Sequence, residues 1–296
     1  MSESTRPAWQ RGLGYGLFAL VSFLVSLYWT FDYSLLIPRL SQFLHQATGA
    51  DVRIEELAGY RLSGVKIAGL TLAAPGLSQG GTAENSLTID QITLRLKLLP
   101  LLLGRQTVAF SARLAGGGIE GLLSKRGQQA RIALQVKGLV LDRIGLAPWL
   151  GKGAIKFGGK LDGKADLLAA ELANPAKWAG EMALQWDAGK IYPFKAQGVP
   201  VEQVNYTKGD FKLKIKDGSA TLETFRLLGP DLPIEVKGSV SLRAPLSQSY
   251  LDLAGTVDAS PDYKKKMPLV AGLLPPEKKF TYQGSLSALT ALLQSH

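Results

Sequence analysis

The chain has 296 residues, no cysteine and two histidines, His45 and His296. That excludes a disulfide framework, a thiolate metal site and a cysteine nucleophile, and leaves no material for a histidine triad or a multi-histidine metal centre. Apolar residues make up 46% of the chain, ample for a core in one large domain or two smaller ones, and the net charge of +10 invites a nucleic-acid reading that the first element decides.

Residues 1–11 form a short tail. It precedes a run from Gly12 to Phe31, twenty residues without a charge, bracketed by Arg11 and Asp32. As a helix the run reaches roughly 30 Å, one crossing of a bilayer's hydrocarbon core. Gly12, Gly16, Leu20, Leu24, Leu27, Trp29 and Phe31 belong to this expected membrane anchor. Cleaved signal peptides, the alternative, have a shorter apolar core and small residues at the cleavage site. Here Leu27 to Tyr33 is bulky, with Trp29, Phe31 and Tyr33 placed as an interfacial aromatic belt. Gly12 and Gly16, then Ser22 and Ser26, have the spacing that lets transmembrane helices approach closely.

Arg6 and Arg11 precede the run and Asp32 follows it, so the positive-inside rule keeps the amino terminus cytoplasmic and exports the rest. This topology removes nucleic acid as a partner. Without Arg6, Arg11 and Glu3 the exported part still carries +9, and the anions outside are phospholipid headgroups and other envelope components. The alternative is a solvated surface with lysines on exposed strand faces.

Residues 32–49 read as a membrane-proximal amphipathic helix. Pro38 suits its first turn, Leu36, Leu40, Phe43, Leu44 and Ala47 recur near helical spacing, and Gly49 is placed to end it. It is expected to cap the following sheet, with His45 on its polar side.

From residue 50 to 296 the period is two for most of the length. Ile92, Leu94, Leu96 and Leu98 alternate with Thr93, Arg95 and Lys97. The same holds for Ile132, Leu134 and Val136, for Phe211, Leu213 and Ile215, and for Ile234, Val236, Val240 and Leu242. Such alternation predicts antiparallel strands with one dry and one wet face. Turn signals sit at Gly116 to Gly118, Asp162-Gly163, Asp217-Gly218 and Gly229-Pro230-Asp231.

A pattern apolar-x-Gly-x-apolar recurs at Gly138, Gly159, Gly238, Gly255 and Gly284, with an imperfect copy at Gly69. The period of two puts each of these glycines on the dry face. A missing side chain there either lets the sheet bend sharply or leaves room for something else, and both readings predict strong curvature. The expected fold is therefore mainly β: one amino-terminal transmembrane helix, then a long, strongly curved antiparallel sheet, groove or half-barrel like, with a few short helices.

Leu98 to Leu103, Leu141 to Leu150 and Pro261 to Leu274 interrupt the strands as short apolar pieces. The first two are expected as helical turns covering sheet edges. The third reads either as an edge-covering helix with a lysine-rich face or as a segment resting on a membrane or partner. Ala165 to Lys177 is expected as a helix or loop insertion, and Lys195 to Lys208 as an irregular connection.

No Gly-x-Ser-x-Gly elbow, phosphate loop, His-Glu-x-x-His or calcium loop is present. The carboxylates mark turns or exposed strand faces, as at Asp217 and Asp231, although a carboxylate pair meeting only in three dimensions is not visible to sequence. The chain is read as a non-enzyme without a cofactor.

The segments Ala47-Thr48-Gly49-Ala50-Asp51-Val52-Arg53-Ile54-Glu55 and Leu62-Ser63-Gly64-Val65-Lys66-Ile67-Ala68-Gly69-Leu70-Thr71-Leu72, with the single amino-terminal anchor, resemble the type II secretion system protein N (GspN) family and, more distantly, the AsmA-like envelope proteins. Lys216 to Leu222 and Gly229 to Val240 look like the family's strand, turn, strand, glycine pattern. The resemblance implies a bacterial inner-membrane protein with its bulk in the periplasm. It implies an accessory of type II protein secretion, with other secretion components as partners and no catalytic residues. The alternative, from the AsmA-like side, is lipid binding or transfer between the inner and outer membranes independent of secretion.

An apolar sheet face open to water is an aggregation liability unless occupied, which makes phospholipid or another acyl-chain lipid a sensible ligand. The candidate groove lining is Ile132, Leu134, Val136, Gly138, Phe211, Leu213, Ile215, Val236, Gly238, Val240, Leu253, Gly255 and Val257. The same alternation would equally fill a closed core.

Overall fold

The computed structural model describes residues 30–48, 50–61, 63–73, 86–144, 156–171, 174–196, 199–244 and 248–288, with 18, 19, 22, 23 and 26 in the amino-terminal run. The anchor positions Gly12, Gly16, Leu20, Leu24, Leu27 and Trp29 lie outside the described residues. Phe31 lies within them, exposed and edge-on to Tyr33 at 5.2 Å. Among the described residues no helix is long and apolar enough to cross a membrane.

The described fold is mainly β, with 60% of residues in strands of one large antiparallel sheet that does not close, and a few short helices. Its strands are β1 (Asp51–Tyr60), β2 (Gly64–Ala73), β3 (Ser86–Leu96), β4 (Gln106–Leu114), β5 (Gly117–Arg126), β6 (Gln129–Val140), β7 (Phe157–Ala169) and β8 (Trp178–Ile191). After an excursion through β9 (Phe194–Ala196), β10 (Val199–Val201) and β11 (Val204–Asn205) the sheet resumes. Its second half is β12 (Lys208–Lys216), β13 (Ser219–Leu228), β14 (Ile234–Ser241), β15 (Tyr250–Val257) and β16 (Lys279–Ser285). From β2 to β8 and from β13 to β16 each strand pairs with the one before it; β11 and β12 both pair with β8, and β9 and β10 form a separate hairpin. The two ends of the sheet are named here by β1: the Asp51 end, where it begins, and the Tyr60 end, where it finishes.

Helix α1 (Ile37–Thr48) follows a 3-10 turn, Tyr33–Leu36, whose first amide is held by the Asp32 side chain (Ser34 N to Oδ1, 3.0 Å). Tyr33, Ile37, Leu40 and Leu44 pack on Ile54, Leu57, Ile67 and Leu70 of β1 and β2. The helix thus caps the sheet, as its periodicity predicts. Joined directly to Asp51 and packed along β1, it runs back against that strand, so Tyr33 lies toward the Tyr60 end. His45 is exposed and its Nδ1 donates to the Ala50 carbonyl at 2.7 Å.

At the Asp51 end, helices α3 (Pro261–Lys266) and α4 (Pro268–Leu273) close a second cluster. Tyr263 and Met267 are buried with Val201, Val204 and Tyr206, against Trp186 and Leu227. Lys264, Lys265 and Lys266 stay exposed, which is the lysine-faced covering helix of the sequence reading. A third cluster joins Leu114, Val136 and Leu139 to Leu141 and Ile144.

Several local expectations are corrected. Asp162-Gly163 is no turn but the middle of β7: Asp162 Oδ1 accepts from Gly138 N at 2.8 Å, and the Leu184 side chain occupies the space beside Gly163. Ala165 to Ala169 continues β7 rather than opening an insertion, and only Pro175–Lys177 is helical, as one 3-10 turn. Lys195 to Lys208 carries β10 and β11 and buries Val201, Val204 and Tyr206, because its apolar residues complete the cluster under α3. Helix α2 (Leu98–Leu102) is the expected helical turn, yet its leucines face solvent instead of covering an edge. Of Leu141 to Leu150, Leu141–Arg143 is a 3-10 turn and residues 145–150 lie outside the described residues.

The repeated glycines divide into two kinds. Gly238, Gly255 and Gly284 sit opposite Leu253, Phe280 and Leu251 on the dry face. Gly138 (φ +61°) and Gly159 (φ +102°) instead lie where the ladder slips, between Val136 and Leu139 of β6 and between Gly158 and Lys160 of β7. These are bulges, which add a residue, bend the strand and raise its twist. Asp142 locks the second by accepting from Gly159 N at 2.8 Å and from the Tyr192 hydroxyl, bonds that hold its carboxyl below the usual range.

Candidate functional site: an uncovered apolar sheet face

Following the pairing register strand by strand gives continuous rows across the sheet. One row runs Val65, Leu94, Phe110, Gly121, Leu134, Ala165, Met182, Leu213, Leu222, Gly238, Leu253 and Tyr282, from β2 to β16. No residue in it is charged. The rows to either side, through Ile132 and Ile215 and through Val136 and Phe211, are equally apolar. The opposite face carries the charges: Arg131 donates to Asp166 at 2.9 and 2.5 Å, Lys212 lies 2.7 Å from Glu223 and Arg226 3.2 Å from Glu235. The Arg131 hydrogen bonds hold the Asp166 carboxyl below its ordinary range.

The candidate residues Ile132, Leu134, Val136, Phe211, Leu213, Ile215, Val236, Val240, Leu253 and Val257 all fall on this one face, together with Gly238 and Gly255. Gly138 stands apart in its bulge. Val136, Ile215, Val236 and Val257 are buried, while Ile132, Leu134, Phe211, Leu213, Val240 and Leu253 remain half-buried. Among the described residues the covering is local: α1 lies over β1 to β3, and the elements at the Asp51 end lie over Leu139, Trp186 and Leu227. Toward the Tyr60 end the face keeps its exposure on β5 to β7, at Leu123, Ile132 and Leu167, whereas Ile215, Ala220 and Leu251 are buried there.

Of the aromatic side chains on the face, the sequence reading named Phe211 and missed Phe110, Phe225 and Phe280. Phe110 leans over Gly121, and Phe280 over Gly255, so that a Cβ at either glycine would stand 2.5 Å from the ring's Cζ. Phe211 and Phe225 meet edge to face at 6.2 Å. Space beside these glycines is filled by the neighbouring strand. Their signal was present in Val108-Ala109-Phe110-Ser111-Ala112 and in Met182, Leu184 and Trp186, which alternate as cleanly as the strands that were named.

A shallow depression of about 720 Å³ lies across β4 to β8. Most of its lining, including Ser111, Glu120, Gln135, Lys164 and Glu181, belongs to the polar face by register, with Ala109, Ala133 and Ala183 as floor. Small residues in a sheet surface account for it, and Glu120, Asp166 and Lys212 of its lining are paired with Lys137, Arg131 and Glu223. Among the described residues no cluster of three or more His, Asp or Glu could hold a metal ion.

No family model, curated protein or solved structure matches the chain.

Proposed function

We propose that this chain is a membrane-anchored, non-catalytic lipid-binding protein of the bacterial envelope. Residues 12–31 hold it in the inner membrane, the amino terminus is cytoplasmic, and the bulk of the chain stands in the periplasm. The bulges at Gly138 and Gly159 and the glycines at 238 and 255 curve the sheet so that its dry face forms an open groove for acyl chains. One observation carries this reading: the row through Leu134 and Leu213 is free of charge from β2 to β16, and both leucines are half-buried. A monomer leaving such a stripe to water would aggregate unless something apolar lay on it. The resemblance to type II secretion protein N supplies the setting, an accessory of protein export. The outer edges of β1 and β16, which pair with no further strand among the described residues, are where a secretion component would dock.

The full chain, purified in mild detergent, should retain phospholipid in native mass spectrometry. Leu134→Glu places a charge against the acyl chain and should cut retention by more than about tenfold, a cost of roughly 1.4 kcal/mol or more. Gln135→Glu, one residue away on the wet face, should leave it unchanged. Equal lipid in both variants, or none in the parent, rejects the reading. Deletion then separates the settings: impaired export with intact lipid asymmetry points to secretion, and the reverse to lipid transfer.

A further inference from the structure

The β3–β4 turn at the Tyr60 end exposes five leucines within the six residues Leu98 to Leu103 around α2. Leu99, Leu102 and Leu103 are 78%, 82% and 81% exposed, and Leu98 and Leu101 are also exposed. Leucines so placed gain nothing for the fold. Their flanks are cationic, Lys97 before and Arg105 after, both exposed. The adjoining turns add Arg61 between β1 and β2, and Lys125 and Arg126 at the end of β5. Between Gln91 and Leu141 the chain holds a single carboxylate, Glu120, and that lies mid-strand rather than on these turns.

Behind the leucine tip is a depression of about 540 Å³. Lys97, Arg105, Arg126 and Arg131 rim it, and the hydroxyls of Thr107 and Ser124, 3.1 Å apart, lie in its floor. An apolar projection beside a cation-rimmed hollow with hydroxyl donors matches one kind of surface: acyl chains under a layer of phosphate headgroups. Tyr33 and the exposed Phe31, the last residue of the apolar run, lie toward this same end, where the tip projects.

We propose that the Tyr60 end of the sheet seats on a bilayer carrying anionic phosphate headgroups. The Leu98–Leu103 tip dips into the acyl layer, and headgroup phosphates sit in the Lys97, Arg105 and Arg126 hollow. The seating is in cis with the anchor, and it rests on the anchor reading for its orientation only. On β5 to β7 the uncovered part of the apolar face, at Leu123, Ile132 and Leu167, runs to this same end, which brings it to the membrane surface.

The chain's lack of cysteine makes a clean test. Leu99→Cys, Leu102→Cys and, as a control at the Asp51 end, Glu277→Cys are each made in the full chain, labelled with an environment-sensitive fluorophore and reconstituted into vesicles. The vesicles contain phosphatidylethanolamine and phosphatidylglycerol with brominated acyl chains. The labels at 99 and 102 should be quenched by the brominated lipid and shielded from aqueous iodide, while the label at 277 behaves oppositely. Replacing Lys97, Arg105 and Arg126 by Gln should lower the tip's partition into lipid by on the order of a hundredfold. Alkaline extraction of the same samples reports the anchor separately. Labels at 99 and 102 as accessible to water as the one at 277 overturn the proposal, whether or not the protein is extracted. So does shielding from iodide without lipid quenching, the outcome expected if a second protein surface covered the tip.

Discussion

The ring of Phe280 on β16 lies over the bare Cα of Gly255 on β15, leaving 2.5 Å between its Cζ and a Cβ built there, with the Glu235 carbonyl oxygen 2.7 Å away on the other side. Within a strand, Gly→Ala ordinarily gains roughly 0.5–1 kcal/mol. Here the sign should reverse, and Gly255→Ala should cost about 1–3 kcal/mol through overpacking. Adding Phe280→Leu should recover part of that loss, the Glu235 carbonyl withholding the rest. Urea denaturation of the two variants and the parent measures both steps.

Gly238 and Gly127 make a contrasting pair. Both have positive φ, +148° and +60°. A Cβ at 238 would collide with the Asp252 backbone oxygen, whereas nothing lies within 4 Å of one at 127. Gly127→Ala should therefore cost only the conformational strain, about 1 kcal/mol. Gly238→Ala adds a clash with backbone that cannot rotate away, and should lose well over that, seen as a drop in soluble yield and in the urea midpoint.

These glycines also mark the boundary of what sequence could reveal. Alternation alone located β6, β12 and β14 and their dry faces, because a half-buried strand writes its period directly into side-chain polarity. It also suggested α1 and the covering helices α3 and α4. It failed where two local signals shared one residue pair. Asp162-Gly163 has turn chemistry, but the Asp bonds to the Gly138 bulge and the Gly makes way for Leu184, so the strand runs through. Whether Gly138 sits on the face or in a bulge depends on its partner strand, which a single segment cannot specify. Nor can periodicity tell a leucine run that covers an edge from one that projects, as α2 does.

Tyr263 is buried, yet its hydroxyl has no hydrogen-bond partner among the described residues. An unpaired buried hydroxyl already carries its desolvation cost, so deleting it forfeits no bond. Tyr263→Phe should be neutral to about 1 kcal/mol stabilising in thermal or urea unfolding. Tyr263→Ala should lose about 3–5 kcal/mol, because it empties the centre of the cluster with Val204 and Met267.

The same cluster predicts the alkaline limit of the fold. Burial, then the proximity of Tyr263 and Asp231, raises the Tyr206 phenol far above the ordinary tyrosine range, and burial raises Tyr263 as well. In the unfolded chain both ionise near pH 10. Their contribution is therefore complete below about pH 10 and is lost as pH rises beyond it, at up to about 1.4 kcal/mol per pH unit for each group. Stability measured from pH 9 to 11.5 should fall less steeply in Tyr206→Phe than in the parent. Identical slopes would show that the phenol does not set the limit.

The order of the strands has a consequence for how the molecule is made. Every strand from β1 to β8 finds its partner in the segment synthesised just before it, and after one short excursion β12 to β16 do the same. A chain emerging from its amino end can thus close each ladder as soon as the next strand appears, without waiting for distant sequence. At every stage the growing edge is the newest strand, while the outer edge of β1 stays as it is, which limits the time a half-made sheet stands exposed to its neighbours.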